Sequence, residues 1–200
     1  MKTSNKILLG AFVGILTVCV VILIVIRLSI EPAPTHKRSS LKKSAQGQRE
    51  INLTDFNCLD LKGNWQARVV REDKVSILVK GPEDLLSALS VDRYGNYIEL
   101  HMPRQAKDER KLRLEMGLPT IQALRTKGVA DIAITGFDLE DLAIDSEGVT
   151  SIHGKNGKLN KLKFRGKGVS RLDLEKLPTS SADLTGEGVF KIDLTMTGGV

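Results

Sequence analysis

His153, Asp173 and Asp193 are the residues of this chain whose types and spacing most invite a catalytic or metal-binding reading. Each lies five positions after the glycine of a recurring Gly-Val pair, so a regular β framework would stack them in one outward column. A histidine beside two carboxylates suits a metal site, or the stacked-acid hydrolysis carried out on some β-helices. The same face also carries Arg171 and Lys191, three positions after their glycines. A solvated, charge-balanced ladder therefore accounts for these acids without chemistry. A metal would need further ligands and a supporting shell around them. No catalytic, cofactor-binding or metal-ligating residue stands out, and neither a cofactor nor enzyme activity is expected.

Other candidates fare no better. His36 falls in a polar stretch, and His101 lies in a strand-like run without a catalytic partner. Asp138, Glu140, Asp141, Asp145 and Glu147 are acidic but lack the spacing of a calcium loop. Neither a phosphate-binding glycine fingerprint nor a nucleophile-elbow motif occurs. Cys19 and Cys58 give no disulfide framework and no metal-type spacing.

The elements that would position these residues are repetitive. Gly128-Val129, Gly148-Val149, Gly168-Val169 and Gly188-Val189 recur every 20 residues. Four positions before each glycine stand Leu124, Ile144, Phe164 and Leu184, and four after stand Ile132, Ile152, Leu172 and Ile192. Gln122, Leu142, Leu162 and Ala182 lie six before; Ile134, Gly154, Leu174 and Leu194 lie six after. The two-residue step within each group is strand periodicity, with the glycine free to turn the chain between groups. The fold class expected is all-β: a β-solenoid (β-helix) domain with coils of about 20 residues, preceded by one N-terminal transmembrane α-helix.

Ahead of the repeat, Arg68–Val70, Val75–Val79, Tyr97–Met102 and Leu112–Met116 read as strands, with Gly95-Asn96 as a tight turn. Pro82, Glu83, Asp84, Leu85, Leu86 and Leu89 suggest one short helical turn.

At the other end of the chain, Ile7 to Ile26 is an uncharged apolar run. At about 1.5 Å per residue it would span roughly 30 Å of hydrocarbon. The organisation expected is a tail at 1–6, a transmembrane anchor in the lipid bilayer at 7–27, a basic Pro/Ser/Lys-rich tether at 28–50, a β-rich half at 51–117 and repetitive coils at 118–200. Lys2 and Lys6 precede the span, whereas Arg27, Lys37, Arg38, Lys42 and Lys43 follow it, so the positive-inside rule leaves orientation open.

The net charge of +6 comes entirely from residues 1–50, which hold eight basic and two acidic side chains; the remainder carries 22 of each. A nucleic-acid surface needs positive charge clustered on the folded part, so no nucleic-acid partner is expected.

Asp55-Phe56-Asn57-Cys58-Leu59-Asp60-Leu61, the Val75–Val79 strand, Pro82 to Leu89, Tyr97 to Leu100 and the Gly-Val repeats follow one another in an order that resembles the head GIN domain family, known as putative auto-transporter adhesins. The opening residues also resemble those of envelope proteins from Bacteroidetes-type bacteria. The resemblance implies an exported, β-solenoid-like domain facing the periplasm or cell exterior, and no catalytic residues. Together with the apolar run, the localisation expected is a single-pass protein of the bacterial inner membrane with its domain in the periplasm, and the partner expected is an unknown envelope protein or glycan. Self-association through the C-terminal coil is a further expectation, because an uncapped strand edge invites pairing. A self-assembling, bactofilin-like scaffold at the membrane is the alternative.

Overall fold

The computed structural model describes residues 45–102 and 110–197. Nine strands form one mixed sheet: β1 (Gln46–Glu50), β2 (Cys58–Arg71), β3 (Ser76–Pro82), β4 (Ser90–Tyr94), β5 (Tyr97–His101), β6 (Leu112–Leu118), β7 (Ala123–Thr135), β8 (Asp138–Lys155) and β9 (Lys158–Met196). Their order is β1-β3-β6-β2-β7-β8-β9, with β5 also against β2 and β4 against β5. The one helix among the described residues, α1 (Glu83–Ser87), follows Pro82 and buries Leu85 and Leu86. Arg49 of β1 donates to the Leu89 carbonyl at 3.0 Å, closing the end of α1 against the sheet.

The 20-residue spacing becomes register. β7 and β8 run parallel with Gly128 against Gly148, and β8 and β9 with Gly148 against Gly168. β2 joins the same parallel set, Gly63 against Gly128. All these glycines have φ between +117° and +124°, as Gly188 does at +130°. An L side chain rarely takes that conformation. The chain passes through each glycine between two short inward-facing groups. Leu124, Ile144 and Phe164 lie buried in one column, and Ile132, Ile152 and Leu172 in another.

Beside the glycines the interior turns polar. Thr126, Ser146, Thr150 and Ser170 are buried. Ser146 donates to Thr150 at 2.7 Å, while the Thr126 and Thr150 hydroxyls lie 3.0 Å apart and those of Ser146 and Ser170 3.3 Å apart. Each hydroxyl has a partner, so the strip remains affordable inside an apolar core. Trp65 and Phe190 occupy the equivalent position in the first and last strands of this set. Phe190 leans into the space left open by Gly166 and Gly186, edge-on to Phe164 at 6.0 Å between ring centroids.

The all-β class holds, but two expectations are corrected. The structure shows a mixed sheet rather than a β-solenoid of equivalent coils. The parallel in-register set is interrupted in sequence between β2 and β7 by a segment in which β3 pairs antiparallel with β1 and β6, β4 pairs antiparallel with β5, and α1 intervenes. The expected transmembrane helix at 7–27 lies outside the described residues, and among those described no helix is long and apolar enough to cross a membrane. The expected single-pass inner-membrane localisation is therefore not supported. The strands and tight turn expected ahead of the repeat are present, as is the short helix after Pro82.

Candidate binding face

In-register parallel pairing places like positions side by side, so the outward residues before each column glycine build two charged rows. Three positions before stand Asp60, Arg125, Asp145 and Arg165; one before stand Lys62, Lys127, Glu147 and Lys167. On the far side of β2, Glu99 extends the first row and His101 the second. These rows line a shallow groove of about 330 Å³.

Its charges interlock. Asp145 accepts from the Arg165 Nε at 2.9 Å and lies 3.6 Å from the Arg125 Nε. Lys127 Nζ meets Glu147 at 3.0 Å, and Lys62 Nζ meets Glu99 at 2.6 Å. The Arg125 guanidinium sits over the Tyr97 ring, 4.4 Å from its centroid, a cation–π contact. These contacts hold long side chains in fixed positions, and exposed pairs of this kind add little to stability. What they provide is an ordered pattern of charge across β2, β7, β8 and β9. At the start of β2 the Cys58 thiol is buried, and that burial pushes its pKa up, away from thiolate chemistry.

Asp60 is the one carboxylate here whose proton is held above the usual aspartate range. Burial is the main cause and neighbouring Glu99 adds to it, while Lys62, Arg125 and Lys127 oppose it. The folded protein thus holds this proton more tightly than the unfolded chain does. Stability falls as pH rises from the ordinary aspartate value through the raised one, and the loss is complete above it. Asp60→Asn should accordingly raise the urea midpoint at pH 7, with the gap to wild type closing as pH drops below the aspartate range. Equal midpoints at pH 7 would show that burial of this carboxylate costs nothing.

After the glycines, register sets Asp131 beside Ser151, Ser151 beside Arg171, and His153 beside Asp173. The Ser151 hydroxyl lies 3.1 Å from His153 Nε2, with His153 Nδ1 3.5 Å from Asp173 and Nε2 3.9 Å from Asp131. Asp193, expected in the same column, lies 3.4 Å from Lys191. The order serine, histidine, aspartate resembles a nucleophilic triad. However, His153 is 45% exposed on an open strand surface, and among the described residues no cleft encloses the three side chains. Among the described residues no group of histidines, cysteines and carboxylates could hold a metal ion.

A larger depression, about 890 Å³, lies beside β1 and β3. Its Lys80 and Arg110 are paired with Glu115 at 2.6 Å and Asp84 at 2.7 Å. The groove over β2, β7, β8 and β9 is the better candidate, because its charges repeat in register across four strands.

The sequence profile described as "Putative auto-transporter adhesin, head GIN domain" matches residues 55–199. The family description supports a binding role. Similar solved structures include a putative adhesin from Bacteroides fragilis, 14% identical over 78% of this chain and 97% of that chain, with a TM-score of 0.46. A putative lipid binding protein from Parabacteroides distasonis is 11% identical over 78% and 96%, with a TM-score of 0.49. A putative adhesin from Parabacteroides merdae is 10% identical over 79% and 96%, with a TM-score of 0.42. No curated protein matches the chain in sequence.

Proposed function

This chain belongs to the head GIN domain family of putative auto-transporter adhesins, and from that premise we propose that it is a non-catalytic binding module of the adhesion type, acting on an envelope protein or glycan. The observation that carries this reading is the groove in which Arg125, Asp145 and Arg165 alternate beside Lys127, Glu147 and Lys167. Rows of fixed, alternating charge discriminate between partners by complementarity and steer encounter, without asking any residue to perform chemistry. Arg165 is 63% exposed, where a ligand can reach it.

The test uses beads coated with the full chain, retained under flow on surfaces carrying bacterial envelope fragments or an acidic glycan. Arg165→Glu with Lys167→Glu should cut retention roughly tenfold, as expected when attractive pairs become repulsive at a charge-complementary interface. Wild-type retention should fall with added salt. Retention unchanged by the double reversal would remove the groove as the binding site.

A further inference from the structure

β9 closes on itself. Beyond Leu177 the strand continues beside its own first half: Thr185 and Thr195 donate to the Phe164 and Glu175 carbonyls at 3.3 and 2.8 Å, and the Thr197 amide to Thr179 at 2.9 Å. In this outer half the burial seen in the inward columns of β7 and β8 fails. Leu184 is 40% exposed, and Ala182, Phe190, Ile192 and Leu194 are only partly covered. β9 also ends the sheet order, so among the described residues no strand pairs with its outer edge. A strand edge with half-covered apolar residues behind it is a template for another chain.

We propose that this edge pairs antiparallel with the same edge of a second copy, across a two-fold axis at Val189. About that axis Leu184 faces Leu194, Gly186 faces Ile192 and Glu187 faces Lys191, each contact occurring twice. An axis at Gly188 sets Asp183 against Asp193 twice, and an axis at Phe190 sets Glu187 against Asp193 twice; both place like charges opposite. Axes between residues would face the apolar positions with outward ones. The Val189 axis satisfies charge and apolar pattern together. At the opposite end of the sheet, β1 offers five residues, Gln46–Glu50, none of them apolar and most exposed, which could not cover this edge. A two-fold interface of this kind closes at a dimer and does not propagate.

The test uses the full chain with Cys19→Ser, leaving Cys58, which is buried. Val189→Cys places two thiols at the axis, within reach of a disulfide between antiparallel neighbours. Mild oxidation should give a covalent dimer. Val169→Cys, one strand inward and 48% exposed, should give none; a dimer in both would mean association elsewhere in the chain. In the Val189→Cys background, Glu187→Lys places lysine opposite Lys191, and Lys191→Glu places glutamate opposite Glu187. Each alone should lower crosslinking about tenfold, and mixing the two should restore it as a heterodimer. A Val189→Cys chain that stays monomeric, or a mixture no better than its components, overturns the proposal.

Discussion

Gly148→Ala lowers the free energy of unfolding by about 3 kcal/mol or more, measured by urea denaturation of the full chain. Two causes add. At φ +118° the backbone lies where an L residue is strained, and a Cβ there would strike the carbonyl oxygen of Gly128 on the adjacent strand. The obstacle is backbone in the middle of a ladder, so relief requires parting β7 from β8. Gly95→Ala separates the two causes. Gly95 also has positive φ, +61°, but nothing lies within 4 Å of an added Cβ, and a cost of about 1 kcal/mol is expected. Equal losses at both positions would mean that the close stacking of the glycine column adds no constraint.

Trp65→Ala removes about 3–5 kcal/mol, in the top range expected of a single side-chain deletion among the described residues. Trp65 is 1% exposed, and its indole N–H donates to the Lys62 carbonyl at 3.0 Å. It aligns with Leu112 on one side and Ala130 on the other. Ala130 is too small to fill the space a truncated side chain would leave. Trp65→Phe should recover more than half of the loss, since an aromatic volume returns and only the indole donor is missing. Circular dichroism followed through a urea titration reads both variants, because the chain has no other tryptophan to report by fluorescence. A loss below about 1 kcal/mol for the alanine variant would show that β2 repacks freely.

The Gly-Val repeat shows how far residue spacing reaches. It identified the parallel register from Gly128 to Gly168 and the buried columns at four positions either side. Gly63 escaped the same count because Asn64, not valine, follows it, and because 65 residues separate it from Gly128. Leu59, Ala67 and Val69 nevertheless stand at four before, four after and six after Gly63, as the pattern demands. Spacing alone could not tell a run of equivalent coils from strands joined across an inserted antiparallel segment. That choice depends on which distant strands meet. The candidate face was partly legible. His153 and Asp173 were expected side by side and are. The rows before the glycines, which form the groove, follow from the same arithmetic but carry mixed charges that resemble ordinary surface until register pairs Asp145 with Arg165.

The pairing of β2 with β7 also has a consequence for how the chain reaches this structure. Neighbouring glycines from β7 onward meet across 20 residues, whereas Gly63 meets Gly128 across 65. Closing the longer loop costs about 1 kcal/mol more in chain entropy. Strands β7, β8 and β9 can therefore assemble first from nearby sequence, and β2 arrives late, bringing Trp65 to cover their exposed end. Mutations in β2 would then chiefly speed unfolding, while mutations in β8 would slow folding itself.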